Sequence, residues 1–292
     1  MNGRDATVCM MRIRNEARWM PRSLARSFRV CRAVVVWDDG STDDTEARVQ
    51  SFFDETVGGA VRVQGMRWGW LWSGLHREGL GHMELHYLKS PFRPARREIQ
   101  NVDEVRDKNA LWEYVKAQVE FRSVLCMDGD EMLSQAIIRE WPALLTALER
   151  GLDMLAVPII QLWDSEEQRR IDGWYGDSSD GRPRVRHPRV LTVAHLNDEE
   201  IYHLHFAHEG SRGNFHCGFL PRAGVHRDWR LGVTAGTIVH FGYLHARDRQ
   251  RKYEWYNRID PDNEFEGRYA HVVGLPDQHA PGPVHLAPWE DR

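Results

Sequence analysis

The sequence of 292 residues contains no apolar run approaching the ~20 residues that a membrane-spanning helix needs. Its first residues are charged from Arg4 onward and carry no apolar signal core, so the expectation is a soluble, cytoplasmic protein without a membrane span. The four cysteines, Cys9, Cys31, Cys126 and Cys217, form no CxxC pair, which argues against a zinc site and fits a reducing compartment. The GxGxxG fingerprint is missing and so is the phosphate-binding P-loop, so neither a dinucleotide cofactor nor that mode of nucleotide capture is indicated. Net charge is only −4 and gives no global attraction to nucleic acid or to anionic membrane. No internal repeat and no clear linker divides the chain.

What is present is an alternation of strand-like and helix-like segments. Residues 6–13 read as an apolar strand ending in Arg14, Asn15 and Glu16. A helix with Trp19, Met20, Leu24 and Phe28 at helical spacing follows. Residues 33–37 are β-branched and continuous, as in a buried parallel strand, and end in the polar run 38–45. A helix is expected from there to about residue 53. Two short strands, 61–64 and 83–88, are expected around a loop rich in Trp and Gly, then a helix over 101–121. Pro142 reads as the first residue of a further helix, and 154–162 as a buried strand. Beyond 162 the alternation fades: 163–184 reads as a polar loop, with short strands expected near 185–193, 201–206 and 237–241 and a basic helix over 245–258. Twelve tryptophans are many for this length; most belong in a core, and some can offer flat faces to a sugar or base.

The most informative stretch is the apolar run 124–127 that ends in Asp128, Gly129, Asp130 and Glu131. A strand covered on both faces has no use for acids except where it emerges into a crevice. Carboxylates this close raise each other's pKa unless a cation sits between them, and hard oxygen ligands suit Mg²⁺ or Mn²⁺. The plainer reading of the same residues is an acidic turn that caps the next helix.

Taken in order, Asn15-Glu16, the acidic Gly-Ser-Thr run over 38–43 and Asp128-Gly129-Asp130 resemble the family 2 glycosyltransferases. The resemblance covers about residues 7–50 and 105–135, is weaker over 154–175, and returns at His240-Phe241-Gly242-Tyr243. It implies the GT-A (Rossmann-like) α/β fold, a mixed, mostly parallel sheet flanked by helices. The expected domain is 1–267, with a nucleotide-sugar half (1–162), an irregular acceptor-side half (163–267) and a loosely ordered tail (268–292). It implies that Asp38 or Asp39 binds the uracil or ribose of a nucleotide-sugar, beside Asn15, Glu16 and Arg106. Asp128 would touch ribose or metal, Asp130 the metal, and His240 would be a third ligand, with Mn²⁺ or Mg²⁺ as cofactor. Arg251, among Arg247, Arg249 and Lys252, could close over the diphosphate.

The activity so implied is inverting, metal-dependent transfer of a sugar from a nucleoside diphosphate, UDP by expectation, to an acceptor hydroxyl. The base that removes the acceptor proton is not fixed by spacing; Asp172 is favoured and Glu209 comes second among the acids of the polar loops. The acceptor is open between a glycan, a protein, a small molecule and a modified nucleic-acid base. Two rivals are a nucleotidyltransferase of related fold, which normally has a Gly/Arg-rich phosphate loop where this chain has Arg14-Asn15-Glu16-Ala17, and a non-catalytic nucleotide-sugar-binding module.

Overall fold

A computed structural model of the chain describes residues 6–66, 69–92, 103–208, 217–259 and 267–291. The amino-terminal half runs β1 (Thr7–Ile13), α1 (Met20–Ser27), β2 (Ala33–Asp38), α2 (Thr45–Thr56), β3 (Val57–Met66), β4 (Gly69–His76), β5 (His82–Lys89), α3 (Glu104–Gln118), β6 (Ser123–Asp128). It continues with β7 (Glu131–Leu133), α4 (Gln135–Glu149), β8 (Met154–Trp163), β9 (Ser165–Arg170), β10 (Arg186–Thr192), α5 (Asp198–His203), β11 (Leu231–Val233), β12 (Ile238–His240), α6 (Ala246–Ile259) and β13 (Leu286–Pro288).

The result is a mixed α/β sheet with the order β13-β9-β8-β10-β6-β1-β2-β5-β4-β3. Its centre, β6-β1-β2-β5, is parallel, and antiparallel strands flank it on both sides. The continuous apolar runs of β1, β2 and β6 at the centre are what two-sided burial demands. Side chains of β1 alternate between faces: Cys9, Met11 and Ile13 pack with α1, α2 and α4, while Val8 and Met10 pack with Leu111, Trp112 and Val115 of α3. The chain leaves β1 toward β2 and β5, then returns to place β6 on the other flank of β1. That reversal opens a crevice at the carboxyl ends of β1 and β6, where an open α/β sheet binds ligands.

Several elements differ from the sequence reading. The Trp-rich stretch expected as a loop contains β4, which carries Trp70 and Trp72 between β3 and β5. The helix expected to start at Pro142 starts at Gln135, with Ser134 as its cap and Pro142 inside it. Residues near 201, read as a strand, form α5, because Asn197 and Glu200 close a reciprocal capping box. Part of the expected polar loop is β9, paired with β8 and β13. The expected loose tail is docked instead: Tyr269, Val272 and Ala280 are buried, and Asp291 pairs with Arg26 at 2.7 Å. Among the described residues no helix is long and apolar enough to cross a membrane.

Candidate functional site

The crevice is a hollow of about 600 Å³, within the range typical of small-ligand sites. The ends of β1, β2 and β6 form one wall, β8 and β12 another, and α6 closes the side.

Register brings the first wall together. Arg12 on β1 lies opposite Trp37 on β2 and Asp128 on β6. Beyond the strand ends the loops are tied to each other. Asn15 takes a left-handed backbone (φ 57°), which Asn tolerates better than most residues. Its side-chain oxygen accepts from the Thr42 amide at 2.7 Å, and its own amide donates to Ser41 Oγ at 2.9 Å. The acid after β2 splits into two roles. Asp38 is buried in the turn, accepting from the Ser41 amide and from the Tyr87 hydroxyl, and is absent from the hollow's lining. Asp39 faces the hollow with its carboxylate against Arg12 at 2.8 Å.

The turn after β6 is built from buried polar contacts. Glu131 accepts from the Asp128 amide at 2.9 Å and pairs with buried Arg189. Ser23 Oγ donates to the carbonyls of Gly129 and Glu131. Gly129 is required by space: a Cβ there would meet Ile13 at 2.7 Å and Glu16 at 2.9 Å. These contacts aim Asp128 and Asp130 into the hollow.

Asp130 does not stand alone. Its Oδ2 accepts from Lys252 Nζ at 2.7 Å and lies 3.1 Å from His240 Nε2. His240 is set by register, since β12 places it beside Gln161 on β8 and Glu131 on β7. Gln161 Oε1 accepts from His240 Nδ1, which leaves Nε2 facing Asp130 and Lys252. Burial alone would raise the Asp130 pKa; Lys252 and His240 outweigh it and hold the carboxyl well below its usual range. Burial likewise opposes the Lys252 charge, and Asp130 with Glu16 keeps its pKa above normal. Glu16 sits across the same space, its carboxyl pushed well up by burial and by the Asp130 charge.

Among the described residues no three or more His, Cys, Asp or Glu side chains close around one point, so Asp128, Asp130 and His240 are not gathered into a three-ligand centre. Asp130 and His240 nevertheless fit a divalent ion. Two neighbouring ligands of an octahedral ion with bonds of about 2.1 Å lie about 3 Å apart, and such ions commonly complete their shell with substrate phosphates and water. The Lys252 ammonium shows that the pair already accepts a cation.

No protein-family model matches the chain, and no curated protein does. Solved structures do. The chain is similar to the crystal structure of S. aureus TarS 1-349 at 13% identity and a TM-score of 0.47, covering 92% of this chain and 69% of that one. A second TarS crystal structure gives 14% identity and a TM-score of 0.47 over 91% of this chain; the match spans only 41% of that structure. Glucosyl-3-phosphoglycerate synthase from Mycobacterium tuberculosis, in complex with Mn²⁺, uridine-diphosphate-glucose and phosphoglyceric acid, gives 16% identity and a TM-score of 0.29 over 54% of this chain and 44% of that one.

Of the residues singled out in the sequence, Asn15, Glu16, Asp39, Asp128, Asp130, His240 and Arg251 line the hollow. Arg106 does not. Its guanidinium bonds to Asp107 at 2.9 Å and lies over the Phe92 ring. One helical turn on from Glu104, Lys108 of α3 lines the hollow instead, paired with Glu104 at 2.8 Å. Asp172 does not line the hollow either: Arg170 bonds to both its oxygens and the His285 amide donates to it at 3.0 Å. Glu209 lies outside the described residues. Sequence reading missed Arg12, Lys108, Gln161 and His187 as lining residues. The only signal for Gln161 is a polar residue in an otherwise apolar strand, and for Arg12 a charge one residue before the end of β1.

Proposed function

We propose that the chain is a glycosyltransferase that moves a sugar from a nucleoside diphosphate, of the uridine type, to an acceptor hydroxyl. The observation that carries this reading is the meeting, in one hollow at the sheet's reversal point, of Asp39 at the end of β2 with the Asp130, His240 and Lys252 cluster beyond β6. The first can accept from ribose hydroxyls or a base N–H; the second can hold the diphosphate end of the same ligand.

In this reading Asp130 and His240, with Asp128 nearby, would hold Mn²⁺ or Mg²⁺, whose positive charge stabilises the departing diphosphate. The chain's own cations act at the same place. Lys252 and Arg251 both line the hollow and supply donors for phosphate oxygens. Asn15 fixes the loop after β1 against the loop after β2, so the nucleotide wall is formed before the ligand arrives. Gln161 keeps the proton on His240 Nδ1 and so holds the other nitrogen toward the cation position. Trp174 and Tyr175 line the far side and offer flat surfaces to a sugar or an acceptor ring. Inversion requires a proton acceptor opposite the leaving group; with Asp172 held by Arg170, that role is left unassigned.

A thermal-shift series with UDP, GDP and their sugars, with and without Mn²⁺, tests the reading. UDP with Mn²⁺ is expected to raise the melting temperature by several degrees, about what binding at ~100 times Kd gives. No shift with any nucleoside diphosphate at millimolar concentration would remove the proposal.

A further inference from the structure

We propose that Lys252 is a resident cation that competes with the divalent ion for Asp130, so that the nucleotide-free protein holds its ion weakly. This rests on the ion site proposed above and goes beyond it.

The ammonium takes the acceptors an ion would take. Nζ is 2.7 Å from Asp130 Oδ2 and 3.4 Å from His240 Nε2. With Nδ1 bonded to Gln161, His240 directs Nε2 to within 3.1 Å of Asp130 Oδ2, and the Lys252 ammonium sits beside both. The crowding at this point is measurable at Gly242, where an added Cβ would lie within 2.1 Å of Nζ, 2.3 Å of Oδ2 and 2.6 Å of Nε2. Three polar atoms thus crowd one place, kept open by the missing side chain.

An ammonium and a divalent ion cannot both be satisfied there. The acceptor oxygen is shared, and two cations at this range in a half-buried hollow repel each other. Lys252 can yield without unfolding anything, since it sits in the middle of α6 on a flexible four-carbon stem. Its neighbour Arg251 already lies at the hollow's edge, paired with Asp248 at 3.4 Å. The ion's arrival would therefore hand the Lys252 charge to the next anion in the hollow, the donor's diphosphate.

The test is a Mn²⁺ titration of nucleotide-free full-length protein, with free Mn²⁺ followed by electron paramagnetic resonance. Wild type, Lys252→Met and Lys252→Arg are compared. The expected result is at least tenfold tighter Mn²⁺ binding by Lys252→Met and unchanged binding by Lys252→Arg. A larger Mn²⁺-induced rise in melting temperature for Lys252→Met than for wild type is the companion readout. Should Lys252→Met not fold, Lys252→Gln, which keeps a donor and loses the charge, carries the same expectation. Equal or weaker binding by the uncharged variants, with wild type still binding, overturns the competition and leaves the ion site standing. No Mn²⁺ binding by any of them overturns both.

Discussion

Asp130 is the residue on which the site's electrostatics converge, and its substitution has two separable consequences. Asp130→Asn leaves the half-buried Lys252 ammonium without its anion, which is expected to cost about 1–2 kcal/mol and lower the melting temperature while the fold persists. Sugar transfer and Mn²⁺ binding should both vanish, and turnover equal to wild type would refute the assignment. The pH dependence follows from the same pair. Asp130 is held below the usual carboxylate range, so its contribution is complete above about pH 4 and is lost as pH falls below it. His187 acts earlier. Burial, aided by Arg189, lowers its pKa to about 3, so the unfolded chain binds the proton better and stability declines as pH drops from about 6.5. At pH 5 that amounts to about 2 kcal/mol, visible in urea midpoints at pH 7 and pH 5 and absent in His187→Gln. Asp39→Ala should weaken UDP binding at least tenfold by calorimetry, about 1.4 kcal/mol. Asp128, Asp130 and His240 were legible because each sits at the end of an apolar run. Lys252 stood out only as one of several basic residues on a helix. Its pairing with Asp130, 122 positions away, depends on how α6 closes on the sheet, which no local pattern encodes.

At the scale of elements, the central strands and their helices were readable from period and composition, since each is buried on the face its pattern requires. The misreadings share a cause: one strong local signal outweighed a weaker neighbour. Pro142 reads as a helix start, but Ser134 caps the helix eight residues earlier, its Oγ also accepting from the Thr237 amide at 3.1 Å. Near residue 201 the apolar pattern suggested a strand, but the Asn197 and Glu200 box starts a helix whose docking gives Trp112 Nε1 the Leu204 carbonyl at 2.8 Å. Trp112 is fully buried, so Trp112→Ala is expected to cost about 3–5 kcal/mol, read from chemical denaturation. Gly242→Ala is the complementary test of the turn between β12 and α6. The fold should survive, while Mn²⁺ binding falls at least tenfold because the methyl group, even with Lys252 displaced, fills the place beside Asp130 Oδ2 and His240 Nε2 that an ion would take.

At the scale of the whole molecule, the carboxyl-terminal segment packs against the rest of the chain rather than trailing from it. β13 pairs with β9, the Trp289 amide donates to the Glu167 carbonyl at 2.7 Å, and Asp291 both pairs with Arg26 and accepts from the amide of Gln135 at the start of α4. Its Pro, Gly and His content hid this, because the segment docks through backbone bonds and a few buried side chains rather than through a regular element. Removing residues 275–292 is expected to lower the melting temperature by roughly 5–10 °C. The deepest consequence lies in β8. Every one of its ten residues is buried, and it pairs with β9, β10, β11 and β12. Its amide protons should therefore be the last to trade for deuterium, surrendering only when the entire chain opens.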